Sequence, residues 1–278
     1  MDVGPLRDLL TLVLGAATGV LSGLFGVGGG VISQPGMRLL GLSPLLVIGT
    51  ALPAVLPGAA SGTARYLREE LIRWPAVAAT VPMGLVAAVV GSLTSRHVPG
   101  DGHVLQLATA SLLGLSAYRM GRIGPALPLD EPLAETDAPE APLVVTTAAA
   151  RQERSLTVRF AAIGLIAGLL SGLLGIGGGV IMVPAFVQLA RMEVKSAIAT
   201  SLVCVGAFAL PGTITHAIQG HVDWRVALAL VVGVVPGARL GAALTIRATD
   251  RRLRMVVASF LGCTAVLYAA GELSALIS

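Results

Sequence analysis

The sequence is poor in charge. Only 12% of its 278 residues are Asp, Glu, Lys or Arg, about half of the roughly 25% that a soluble domain carries. With 55% hydrophobic residues and a mean hydropathy of +0.85, the chain cannot cover a water-facing surface, and a membrane is the solvent left to it. Cysteine is scarce too. Cys204 and Cys263 stand alone in apolar runs, which excludes a disulfide framework and leaves both as small core residues. No Asp or Glu falls inside a long apolar run, and no His pair has i, i+4 spacing. Intramembrane hydrolysis needs a paired acid, an activated nucleophile or metal ligands, so no catalytic residue, metal site or cofactor is expected. A GxxxxGK[ST] phosphate loop is also missing. Energy for any transport would then come from a gradient or an associated protein. The opening MDVGPLRDLL has acids beside its only Arg and no basic n-region, so a cleavable signal is not expected. The net charge of +4 reflects loop arginines, which report orientation and give a nucleic-acid partner no support.

What the chain does have is apolar length. The runs Leu9–Phe25, Leu45–Ala64, Ala76–Thr94, Val104–Tyr118, Phe160–Leu174, Ala197–Ile214, Val226–Ile246 and Met255–Ala270 approach or reach the ~20 residues of a spanning helix. They do not alternate as barrel strands would. The expected fold is an all-α polytopic membrane protein.

It is also a repeat. Residues 15–35, GAATGVLSGLFGVGGGVISQP, match residues 164–184, GLIAGLLSGLLGIGGGVIMVP, at 13 of 21 positions without a gap. At an offset of 150 the likeness continues more thinly, pairing Thr50 with Thr200, Gly62 with Gly212, Trp74 with Trp224 and Gly91 with Gly241. Residues 1–122 and 157–278 therefore form two transmembrane repeats. Between them lies 123–156, whose residues 124–142 read GPALPLDEPLAETDAPEAP, too rich in Pro and acid to bury a core, and which reads as a mobile tether.

The basic residues decide how the repeats relate. If the first segment of each half ran straight through its Gly cluster, one side would collect ten basic residues and the other eight. If the chain turns back at Gly28–Gly30 and at Gly177–Gly179, fourteen fall on one side, and only Arg7, Arg38, Arg96 and Arg225 on the other. The positive-inside rule selects the second arrangement. It predicts two inverted repeats of about five segments each, a cytoplasmic linker, and both termini outside a cell membrane. Either a re-entrant or a full hairpin satisfies this parity.

Gly15, Gly19 and Gly23 recur every fourth residue, as do Gly164, Gly168 and Gly172. Such faces let helices pack closely, and suit a compact monomer or a homodimer equally. The triplets Gly28–Gly29–Gly30 and Gly177–Gly178–Gly179 differ, because three glycines break a helix in the middle of apolar sequence. Each is followed by VI and then by Pro35 or Pro184, so a new helix should start there with free N–H groups. Such groups attract anions, and broken helices at matching places in two halves point to a transporter's binding site. Tight turns needed only for packing would leave the same pattern.

These two motifs, GVLSGLFGVGGGVISQP and GLLSGLLGIGGGVIMVP, resemble the repeated signature of the TauE/SafE family of sulfite and organosulfonate transporters. SAIATSL (196–202) and its weaker echo VIGTAL (47–52) add to the likeness. The resemblance implies export or uptake of sulfite, sulfonates, thiosulfate or related small organic anions, with the Gly-broken hairpins meeting near the membrane centre around the substrate. An anion channel would share this site chemistry.

Further candidates for the anion are polar residues in apolar surroundings. Thr50, Thr200 and Ser201 could donate hydroxyls, although mid-helix Ser and Thr often bond to their own backbone. Ala51 stands where the second half has Ser201, and Val183 where the first has Gln34, so Ser201 and the Gln34 amide could serve from one half only. Arg239, inside VVGVVPGARLGAALTI, is costly at that depth unless paired or functional. His216, near Gln219 and His221, reads as an interfacial His, with proton coupling as the alternative. Trp74 and Trp224 read as interfacial anchors.

Overall fold

In a computed structural model, residues 4–95, 103–122 and 144–277 are described. They form ten helices and, among the described residues, no strand: α1 Pro5–Phe25, α2 Gly30–Leu39, α3 Pro44–Leu67, α4 Trp74–Ser95, α5 His103–Arg122, α6 Val144–Leu174, α7 Gly179–Leu189, α8 Val194–Ile218, α9 Trp224–Arg247 and α10 Asp250–Ile277. The all-α expectation holds. Seven of them, α1, α3, α4, α6, α8, α9 and α10, are long and apolar enough to cross a membrane. By contrast α2 and α7, with 10 and 11 residues, reach only about 15 Å at 1.5 Å per residue.

Helix ends follow local chemistry. Pro5 and Pro44 sit at the first helical position of α1 and α3, where the missing N–H costs nothing. The Asp223 carboxylate accepts from the Arg225 and Val226 amides at 3.1 and 3.2 Å and caps α9. Helix α1 stops at Gly26, whose φ of +64° turns the chain and whose N–H donates to the Ser22 carbonyl.

The two halves interlock. Helix α1 lies along α9, and α6 lies along α4. The glycine stripes make these seams: a Cβ at Gly15, Gly19 or Gly23 would strike the backbone of Leu230, Val234 or Ala238. Likewise Gly164, Gly168 and Gly172 sit on Thr80, Gly84 and Ala88. Sequence numbers rise together along both seams, so these pairs are parallel. Across the α3–α8 seam they run oppositely, with Gly62 on Leu202, Gly206 on Ala59 and Gly212 on Leu52. The α5–α10 pair also runs oppositely, with Gly114 facing Ala265 and Gly262 facing Ala117.

After Gly26 the chain reverses. Gly29 lies against Thr18 and Gly36 against Leu14, so α2 folds back along α1. In the second half Gly178 lies on Ala167, and Arg159 donates to the Leu189 carbonyl at 3.0 Å. The core gathers around these reversals from Phe25, Ile176, Phe186, Val205 and Phe208, all buried, while apolar side chains such as Val86, Leu228 and Leu267 face outward.

Three expectations need correction. Residues 144–156, assigned to the linker, belong to the polar start of α6, because TTAAARQERSL carries good helix formers and no Gly or Pro; residues 123–143 lie outside the described residues. Cys204 is buried as expected, but Cys263 is exposed, on the outer surface of α10 where a thiol suits an apolar solvent. His216 is wholly buried in α8 instead of interfacial. It takes the place that Tyr66, 150 residues earlier, takes in α3, and Tyr66 is equally buried.

Candidate functional site

The two helix breaks meet inside the molecule. Loop 26–29 joins α1 to α2, and loop 175–178 joins α6 to α7. They pack backbone to backbone: Gly30 rests on the Gly175 carbonyl and Ile176, and Gly179 rests on the Gly26 carbonyl and Val27. A Cβ at Gly28 would lie 3.6 Å from the Gly177 Cα, and one at Gly177 would lie 3.6 Å from the Gly28 Cα. Val205 of α8 covers both glycines. Side chains at these positions would force the loops apart.

The loops are not identical. Gly28 and Gly177 have φ of +82° and +85°, where a side chain is strained. Gly178 has φ of +72°, but its counterpart Gly29 is right-handed, with φ −67° and ψ −20°. Helices α2 and α7 start at Gly30 and Gly179, as the motif predicts, and no side chain caps either start.

The other sequence candidates are divided among three places. Ser201 is at the loops: its Oγ donates to the Gly26 carbonyl at 2.8 Å. Gln34 is there also, with Nε2 donating to the Leu174 carbonyl at 2.7 Å. Its Oε1 receives the Tyr268 hydroxyl at 3.1 Å, and that hydroxyl also reaches the Val31 carbonyl at 3.2 Å. Thr50 and Thr200, both fully buried, lie toward helix ends. Thr50 Oγ1 accepts from the Asp223 amide at 2.9 Å, and Thr200 Oγ1 accepts from the Arg73 amide at 3.1 Å. Arg239 is exposed and lines a separate cavity with Arg65 and Arg68. Trp74 and Trp224 are 55% and 54% exposed, as anchors at an interface would be.

Sequence reasoning overlooked the buried hydroxyls under the loops. A narrow crevice beside Gly28 and Gly29 is lined by Thr18 and Ser22 of α1 and by Phe260 of α10. The Thr18 Oγ1 is buried and without a hydrogen-bond partner among the described residues. Ser171 and Thr80, on the α6–α4 side, also carry buried unpartnered hydroxyls. An unpaired polar atom in a membrane interior costs free energy, so such groups at a helix break suit a polar guest. One signal for them existed: Ser22 and Ser171 are the polar residues that both copies of the motif keep. Tyr268 and its repeat partner Tyr118 are also alike, but Tyr118 is 57% exposed and Tyr268 buried, so the pairing did not point to the loops.

The model of the sulfite exporter TauE/SafE family matches residues 11–268. The chain belongs to this family. The TauE/SafE match takes in both glycine loops and all ten helices, in whole or in part. Among curated relatives, the probable membrane transporter protein YunE of Bacillus subtilis is 27% identical over 267 residues, covering 92% of this chain and 96% of the relative. A probable membrane transporter protein of Xylella fastidiosa is 28% identical over 241 residues, covering 86% and 85%. YfcA of Escherichia coli, also a probable membrane transporter protein, is 24% identical over 272 residues, covering 96% and 91%. No solved structure matches the chain. With seven helices fit to cross a membrane, this TauE/SafE member is a multi-pass membrane protein of a transporter family.

Proposed function

We propose that the chain is a secondary transporter of a small sulfur oxyanion, sulfite or an organosulfonate, working by alternating access. The observation that carries this reading is the meeting of two uncapped helix starts at Gly28–Gly30 and Gly177–Gly179, one from each half, beside the unpartnered Thr18 hydroxyl. Helix N-termini favour negative charge, and glycine lets a ligand reach backbone N–H groups. The crevice has no room for water in this arrangement of the halves, so binding requires the two loops to separate slightly. Motion of one half against the other would do this. The family description names sulfite export, which supports the substrate class.

In this reading the repeats are inverted in a cell membrane, with both termini outside and the linker in the cytoplasm. The antiparallel α3–α8 and α5–α10 pairs support it, since equivalent helices of inverted repeats run in opposite senses. So do the helix ends that meet. Arg225 pairs with Asp8 at 2.8 Å at one end, and Lys195 reaches the Ile246 carbonyl at 3.0 Å at the other, which keeps the sparse and rich basic sets apart.

The test is flux into proteoliposomes holding the purified chain, with sulfite, sulfate, thiosulfate, a sulfonate and a small carboxylate compared. Saturable uptake of a sulfur oxyanion, coupled to an imposed gradient and recovered chemically unchanged, is expected. Conductive, unsaturable flux would make the chain a channel. No flux of any of these anions would overturn the substrate class.

A further inference from the structure

A second polar feature lies away from the glycine loops. Arg65 and Arg68 at the end of α3 and Arg239 of α9 line one cavity of about 320 Å³, together with Ser61, Leu240 and Ala243. This is several times the roughly 30 Å³ share of a single water molecule. No residue of either glycine loop takes part. Among the described residues, none of the three arginines pairs with a carboxylate, and the Arg65 Nε is buried without a hydrogen-bond partner. Ser61 is already spent, since its Oγ donates to the Val235 carbonyl at 2.7 Å. Three arginines thus line one space with no acid paired to them among the described residues.

The internal repeat shows that the fold does not need this charge. The places equivalent to Arg65, Arg68 and Arg239 hold Thr215, Ile218 and Val89. Ile218 and Val89 are 82% and 38% exposed, an ordinary apolar surface. The same seam is therefore built once with an apolar outer surface and once with three cations. Arg239 stands eight residues before the end of α9 at Arg247, about 12 Å at helical rise. A cation at that depth without a partner is costly, and Leu240 beside it is 62% exposed to the apolar surround.

We propose that the Arg65–Arg68–Arg239 cavity binds a tetrahedral oxyanion, a phosphate or sulfo group, on the arginine-rich side of the membrane. Guanidinium groups recognise such groups by paired N–H donors. The group can arrive on an anionic lipid, entering beside Leu240, or free from the aqueous side past Arg68. The proposal stands independently of the glycine-loop reading, because it requires only that the chain lies in a bilayer.

The experiment uses the full purified chain and two sets of variants. One is the triple Arg65→Gln, Arg68→Gln, Arg239→Gln, with its all-Lys equivalent. The other consists of the single changes Arg68→Gln and Arg239→Gln, which alter exposed side chains and leave the core intact if the triple fails to fold. Native mass spectrometry measures retention of phosphatidylglycerol against phosphatidylcholine. Thermal unfolding in delipidated detergent measures stabilisation by sulfate and by inorganic phosphate. At least one arm should bind the parent, and each lost guanidinium contact should weaken it by about tenfold, with the Lys triple intermediate. Phosphatidylglycerol selectivity lost in the variants identifies a lipid head group; loss of stabilisation by the free anions identifies a soluble oxyanion. Equal binding by parent and Gln variants in both arms, or no binding by the parent, overturns the proposal.

Discussion

The Thr50 hydroxyl accepts a hydrogen bond from the Asp223 amide at 2.9 Å, across 173 residues of sequence. Its repeat partner does the same in reverse: Thr200 accepts from the Arg73 amide at 3.1 Å. Each half thereby fixes the start of the other half's fourth helix, just before Trp224 and Trp74. Thr50→Val and Thr200→Val keep the shape and remove the acceptor of a part-buried N–H, which costs about 1 kcal/mol each. Thermal unfolding in detergent should show this loss, with anion affinity of the folded fraction unchanged. Normal stability with lost affinity would instead move both hydroxyls to the substrate.

The loop glycines should separate by backbone conformation. Gly28→Ala places a side chain at φ +82° and should cost roughly 1 kcal/mol or more before any contact is counted. Gly29 is right-handed, so Gly29→Ala meets only the Thr18 methyl, at 2.7 Å. Thr18→Ser removes that methyl and keeps the hydroxyl. The Gly29→Ala, Thr18→Ser pair should therefore melt near the parent. If its ligand-induced stabilisation is nevertheless lost, Gly29 is needed for the anion itself; full retention would remove Gly29 from the binding site.

Glycines in seams and glycines in open positions should respond oppositely. Gly168→Ala drives a methyl into the Gly84 backbone, and overpacking of this kind costs about 1–3 kcal/mol. Gly114 in α5 has only the Ala265 methyl nearby, at 3.8 Å. Gly114→Ala should be neutral or stabilising by roughly 0.5–1 kcal/mol, as alanine loses less backbone entropy in a helix. The difference in melting temperature between the two variants is the measurement. Equal destabilisation would mean that the α4–α6 seam is looser than its geometry.

Topology can be read from one added thiol. With Cys204 and Cys263 replaced by Ala, a cysteine at Ala134 in the linker should react with an impermeant maleimide only after the cells are opened. Labelling in intact cells would reject the cytoplasmic linker and the inverted arrangement with it.

The sequence by itself determined the solvent, the helices and the repeat. Those properties are local or periodic: apolar runs of spanning length, glycines every fourth residue, and a motif copied at a fixed offset all leave their mark in linear order. The turn at the glycine triplets was legible too, because three consecutive glycines break a helix inside apolar sequence. Tertiary structure decided the partners. That α1 lies on α9 while α6 lies on α4 follows from which glycine stripe meets which backbone, and a stripe looks the same whichever helix covers it. The same limit hid the fates of polar residues. Thr50 and Thr18 are both threonines in apolar helices, yet one accepts a distant amide and the other faces a crevice unpaired. Arg239 read as a lone cation within a spanning segment until the packing of α3 on α9 set it beside Arg65 and Arg68. Hydrogen bonds and charges act over a few ångströms in space, and sequence separation says nothing about that distance until the chain is folded.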